Sequence, residues 1–320
     1  MSSIAAPGPP GPRGVVPPVP TFLRADGTVD ESAQGALTDR LVAAGVDGVL
    51  VLGTAGEGPV LPERLRAPAI AATVDAAAGR LAVVAGCWGQ TAEDALDRIE
   101  GAADQGVSAV LLLPPFYLPL SQRHLRGFVA EVVERSPLPV LLYHIPVRTG
   151  HGFGLELLRE AAEHPRIVGV KDSSKDLAFH HRLLAEVARP SFAVFQGAAP
   201  LVFASARAGS PDSMCPVTAL VPEWELALRA ALRRGDHATA AAVAQRIDGL
   251  AALFSLGDGP MPSVFKVIAG LLGLGPDTPH GGFVRVEPAV VAELASRLGD
   301  LGLTVRRGRV AGDRPTREAS

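Results

Sequence analysis

Short, continuously apolar runs alternate with alanine-rich amphipathic stretches along the first two thirds of the chain. Eight runs read as strands, at 15–16, 48–52, 81–86, 109–113, 139–144, 167–171, 192–196 and 213–217. Most are apolar at every position rather than at alternate ones, as expected of strands covered on both faces. The stretches between them predict helices at 31–44, 62–78, 91–105, 121–134, 155–163 and 176–188. Thr91-Ala-Glu-Asp94 approximates a capping box and Ser121 is placed to cap the helix that follows it. Gly45, Gly79 and Gly106 stand where helices end with a left-handed residue. Eight consecutive β/α units favour a closed (β/α)8 TIM barrel, an α/β fold, over an open doubly wound sheet.

Beyond Pro222 the strand pattern stops, and helices are predicted at 223–234, 237–255, 262–272 and 288–298. The expected organisation is a Pro/Gly-rich flexible leader at 1–13, a catalytic barrel at 14–222, a C-terminal helical extension at 223–305 and an arginine-rich flexible tail at 306–320.

Composition narrows the function. A 320-residue chain that is 48% hydrophobic can bury a large core, and a net charge of −3 leaves no basic footprint for nucleic acid or an anionic membrane. No apolar run reaches the roughly 18 residues of a membrane span, and the leader lacks the basic and apolar regions of a signal peptide. Cys87 and Cys215, each in a predicted strand, show neither metal-ligand spacing nor a disulfide framework, which fits a reducing cytoplasmic setting. Small-molecule chemistry is what remains.

Only three of the 30 basic residues are lysines: Lys171, Lys175 and Lys266. Lys171 closes the apolar run Ile167-Val-Gly-Val-Lys171, where a bland basic residue is costly to bury. A desolvated lysine can lose its proton and condense with a carbonyl as a Schiff base, which arginine cannot do. The competing reading is a lysine snorkelling from a strand end to water.

Barrel enzymes carry their reactive groups at the C-terminal ends of strands. The second run ends in Gly53-Thr-Ala-Gly-Glu-Gly58, a turn able to present backbone N–H groups to a carboxylate or phosphate. The only two tyrosines, Tyr117 and Tyr143, follow or end the fourth and fifth runs, and Thr54 offers a hydroxyl partner for a phenol acting as proton shuttle. His144, His151, Asp172 and Glu57 show no recognised ligand spacing, so no metal is expected. The His180-His181 pair reads as a solvated helix face.

With these residues in view, the sequence resembles the dihydrodipicolinate synthase/N-acetylneuraminate lyase family of pyruvate-dependent class I aldolases. Gly53-Thr-Ala-Gly-Glu57 resembles the family's pyruvate-carboxylate loop, Tyr143 and the nearby proline its catalytic tyrosine segment, and Ile167-Val-Gly-Val-Lys-Asp-Ser-Ser174 its Schiff-base segment. The resemblance implies that Lys171 forms an imine with pyruvate or another 2-oxo acid, without a separate cofactor, and that Tyr143 moves protons. It implies that Thr54 and Tyr117 complete a hydroxyl relay, and that Ala55, Arg148, Gly197 and Cys215 bind substrate, Gly197 and Cys215 through backbone groups. It also implies a homotetramer, a dimer of dimers in which Tyr117 reaches a neighbour's site.

Arg148 matches the position that binds the carboxylate of aspartate semialdehyde in the synthase branch, which points to a 4-hydroxy-tetrahydrodipicolinate synthase-like condensation of pyruvate with a small aldehyde. The chain departs from that branch at Ala55, where a second threonine is usual, at His144, where asparagine is common, and at Pro119, where arginine often sits. Asp172-Ser-Ser174 also resembles aldolases and dehydratases of 2-keto-3-deoxy sugar acids. A catalytically silent barrel serving as a binding or scaffold protein is the reading from a different class.

Overall fold

Six of the apolar runs form one parallel sheet in sequence order: β1 (Gly48–Val51), β2 (Ala82–Trp88), β3 (Ala109–Leu113), β4 (Val140–His144), β5 (Ile167–Asp172) and β6 (Ala193–Gln196). The computed structural model describes residues 11–280 and 283–306. The expected leader and tail lie outside the described residues except at 11–13 and 306. Parallel neighbours need long crossovers, and helices supply them.

The first and eighth expected strands do not form ladders. They make single parallel bridges instead, Val15 to Ser213, Pro18 to Leu50 and Gln196 to Ser213. Proline explains both departures. Pro17, Pro18 and Pro20 have no N–H to donate to a ladder. Pro216 halts the eighth run and opens the short helix Pro216–Leu220, with Cys215 as its N-cap rather than as a strand residue. The bridging bonds are nevertheless well formed: the N–H of Val16 donates to Ser213 O at 2.9 Å, that of Val19 to Leu50 O at 2.9 Å and that of Met214 to Gln196 O at 2.9 Å. These two segments therefore link the free edges of the sheet into a barrel-like wall. Val16 and Met214 pack inside it with Leu50, Val84, Leu111, Leu141 and Phe195, while a larger apolar layer fills the space between sheet and helices.

Local chemistry sets the helix ends as the sequence suggests. Thr91 Oγ1 accepts from the Asp94 N–H at 3.1 Å and Ser121 Oγ from the His124 N–H at 3.4 Å. Helix Glu31–Ala44 stops at Gly45, whose φ of 86° is left-handed. The C-terminal region is helical as expected, at Pro222–Arg233, His237–Leu253, Met261–Leu271 and Pro288–Asp300. Helix His237–Leu253 brings Asp248, Ala251 and Ala252 to the wall of the cavity described below. No described helix is long and apolar enough to cross a membrane.

Candidate active site

Tyr143 and Lys171 are register partners on β4 and β5, and Lys171 in turn pairs with Phe195 on β6. Side chains at paired positions of neighbouring strands share a face of the sheet, so both polar groups belong to the inner wall. Lys171 is 3% exposed and Tyr143 6%. The Lys171 Nζ sits 4.5 Å from the centroid of the Tyr143 ring. The phenol hydroxyl lies 3.3 Å from Thr54 Oγ1. Burial pushes the Tyr143 phenol up, but the Lys171 charge and hydrogen bonding, as with Thr54, outweigh it and hold the group below its ordinary value.

A cavity of about 490 Å³ opens over this cluster. Its wall includes Thr54, Ala55, Tyr143, Arg148, Lys171 and Gly197, which the sequence singled out, and Ser173, Lys175, Asp248 and Ser255, which it did not. Ser173 lay inside a segment recognisable by its motif and carries the signal that would have found it. Asp248 sits mid-helix far along the chain, with no local mark of its role.

Thr54 and Ala55 owe their placement to the turn after β1. The N–H groups of Gly56 and Gly58 return to Gly53 O, each at 3.1 Å, and that of Glu57 returns to Thr54 O at 3.1 Å. The N–H groups of Thr54 and Ala55 have no acceptor among the described residues. A Cβ on Gly58 would fall 1.8 Å from Leu52 O, so this turn cannot close around any larger residue. The loop is anchored from outside by a buried ion pair between Glu57 and Lys266 of helix Met261–Leu271. Burial lowers the Lys266 pKa, and the Glu57 charge and hydrogen bond oppose that shift.

Gly197 follows β6 and must be small for another reason. A Cβ there would come within 2.2 Å of Ser173 Oγ and 2.9 Å of Lys171 Cε. Its N–H donates to Asp172 O at 2.7 Å, tying the ends of β5 and β6 together.

Two expected site residues are not brought in. Tyr117 is 83% exposed and lies outside the cavity wall, on the loop after β3. Cys215 is buried beneath the wall, which Pro216 reaches in its place, and burial pushes its thiol up to about 12. The histidine pair also needs correction, because His180 is fully buried rather than solvated. Its Nδ1 lies 3.0 Å from Asp172 Oδ2 and its Nε2 2.8 Å from Ser205 Oγ. Alternation along β5 explains the arrangement: Lys171 faces inward, so Asp172 faces the helix layer and meets helix Leu177–Glu186 there. The chain Asp172–His180–Ser205 has the composition of a nucleophilic triad, but Ser205 is 1% exposed and does not line the cavity.

The model of the dihydrodipicolinate synthetase family matches residues 11–284. An uncharacterized DapA-like lyase of Halobacterium salinarum is 33% identical over 301 residues, covering 93% of this chain and 98% of the relative. A probable 2-dehydro-3-deoxy-D-pentonate aldolase of Escherichia coli is 29% identical over 268 residues, covering 83% of this chain and 89% of the relative. Among solved structures, a prophage protein of Escherichia coli K12 from the dihydrodipicolinic acid synthase family, in complex with pyruvate, superimposes with a TM-score of 0.85 at 27% identity, covering 91% of this chain and 99% of that one. The chain belongs to the dihydrodipicolinate synthetase family and is an enzyme of its lyase and aldolase class.

Proposed function

We propose that this enzyme is a Schiff-base aldolase that joins pyruvate to a small aldehyde bearing a carboxylate, as in a 4-hydroxy-tetrahydrodipicolinate synthase using aspartate semialdehyde. The observation that carries this reading is the buried amine of Lys171 held 4.5 Å from the Tyr143 ring in the wall of a substrate-sized cavity. In the reaction, the neutral amine adds to C2 of the 2-oxo acid and water leaves, giving an imine that acts as electron sink for the adjacent carbon. Loss of a methyl proton yields the enamine, which attacks the aldehyde carbon, and hydrolysis of the new imine frees Lys171. No further cofactor enters these steps.

Tyr143 passes protons to and from the carbinolamine and the new alkoxide, a role that its hydroxyl contact with Thr54 supports. The N–H groups of Thr54 and Ala55 supply donors for the 2-oxo acid carboxylate even though Ala55 has no hydroxyl. Arg148, in the cavity wall, offers a bidentate partner to a carboxylate on the aldehyde. Ser173, Ser255 and Asp248 in the same wall favour a second reading, a 2-keto-3-deoxy sugar acid aldolase or dehydratase whose substrate hydroxyls they would bind.

The bridges at Val15, Pro18 and Ser213 support a closed eightfold barrel. The exposed Phe116-Tyr117-Leu118 loop supports assembly as a homotetramer in which Tyr117 completes a neighbour's relay. A panel pairing pyruvate with aspartate semialdehyde, glyoxylate, glyceraldehyde and N-acetylmannosamine tests the assignment. Fastest turnover with aspartate semialdehyde, reduced by Arg148→Ala, is expected. Preference for an uncharged aldehyde, undiminished by that change, would overturn the synthase-like reading.

A further inference from the structure

Lysine is rare in this chain, and all three lysines are accounted for at or beside the site. Lys171 lies in the cavity wall, Lys266 is paired with the loop that carries Thr54, and Lys175 is an exposed residue lining the cavity. Lys175 has a φ of 64°, in the left-handed region that suits glycine and disfavours a side chain. The surrounding turn holds it there. Asp172 Oδ1 accepts from the Ser174 N–H at 3.0 Å, Ser174 Oγ accepts from the Asp176 N–H at 3.1 Å, and Asp176 caps the next helix through the Phe179 N–H at 2.9 Å. Glycine would satisfy this backbone without strain, yet the position carries an ammonium. Among the described residues no carboxylate lies within ion-pair distance of it. Arg148 lines the same cavity, also without an ion-pair partner among the described residues, and Asp248 is the one carboxylate in the wall. The cavity is therefore basic on balance, with cations from the β4 side and the β5 side.

We propose that Lys175 acts with Arg148 as a two-cation clamp that binds an anionic group at the far end of the second substrate, selecting aldehydes that carry a carboxylate. This rests on the aldolase reading above and deepens it. Two cations converging on one carboxylate hold it in register, which places the aldehyde carbon over the enamine. Strain at a functional position is compensated by the turn that imposes it.

The test compares initial rates at saturating pyruvate for wild type, Lys175→Gln and Lys175→Arg. Aspartate semialdehyde and succinic semialdehyde serve as carboxylate-bearing aldehydes, and glyceraldehyde as the uncharged one. The expected result is a loss of about tenfold or more in kcat/KM for both charged aldehydes in Lys175→Gln, chiefly through KM. Glyceraldehyde turnover should be unchanged, and Lys175→Arg should retain the preference at the same strained backbone. Equal loss for charged and uncharged aldehydes, or no loss for either, would overturn the clamp. Borohydride trapping of pyruvate on the wild-type enzyme separates this failure from a deeper one: trapping with unchanged aldehyde preference removes only the clamp, whereas no trapping removes the aldolase reading as well.

Discussion

Lys266 and Glu57 form a fully buried ion pair that joins helix Met261–Leu271 of the C-terminal region to the loop presenting Thr54 and Ala55. Lys266 also donates to Thr278 O at 3.2 Å. Removing one partner of such a pair leaves an uncompensated charge in the interior, and that costs more than the intact pair contributes. Lys266→Met should therefore destabilise the protein by about 3–5 kcal/mol, measured by urea unfolding. Adding Glu57→Gln to it should recover part of the loss, because the orphaned carboxylate is gone. A single variant as stable as wild type would show that the pair does not hold the loop.

The hydroxyl contact between Thr54 and Tyr143 gives a kinetic expectation. Tyr143→Phe should lower kcat by about 100-fold or more, the usual contribution of a positioned proton donor. Hydrogen bonds and the Lys171 charge hold the phenol below its ordinary value of 10.0, so the alkaline limb of the rate profile should fall below that value. Thr54→Val removes one bond that favours the phenolate, and the limb should move upward. A limb that does not respond to the valine would separate Thr54 from the proton path.

Asp172 is buried and carries a pH signature for stability. Burial raises its pKa, but the hydrogen bond from His180 and those from Ser174, with the charge of His144, lower it more, so the folded value lies below 3.8. The folded state then binds fewer protons than the unfolded chain between those two values. Its stabilisation is complete above pH 3.8 and is lost as pH falls through the folded value. Asp172→Asn should flatten this acid limb in thermal melts between neutral pH and pH 3, and should lower stability at neutral pH. An unchanged limb would mean that other carboxylates govern acid unfolding.

The exposure of Tyr117 leads to a mixing experiment. If its hydroxyl serves a neighbouring subunit, enzyme carrying Tyr117→Phe and enzyme carrying Lys171→Ala should regain activity when unfolded and refolded together, since mixed assemblies contain some sites with both groups intact. Activity no greater than the sum of the separately refolded variants would show that Tyr117 does not complete a neighbour's site.

Much of the site was legible because it is built from strand ends, where continuous apolar runs stop at Tyr143 and Lys171. The turn Gly53-Thr-Ala-Gly-Glu-Gly58 was equally readable, since its glycines answer to backbone contacts as tight as that of Gly58 on Leu52. What escaped reading depends on contacts between distant segments. His180 looks like a solvated residue until the outward face of β5 brings Asp172 against it. Glu57 and Lys266 are more than 200 positions apart, and neither local sequence signals a partner. The first and eighth runs resemble strands in apolar character, but the prolines at 17, 18, 20 and 216 remove donors or open a helix.

The proposed chemistry stands on Lys171 as the nucleophile. Incubation with pyruvate and borohydride, followed by intact mass and peptide mapping, tests it directly because reduction fixes the imine as a stable secondary amine. The expected result is one reduced pyruvate adduct per chain, on the peptide containing Lys171, and none in Lys171→Ala. An adduct on Lys175 or Lys266 instead, or no adduct under conditions that trap a known class I aldolase, would contradict it.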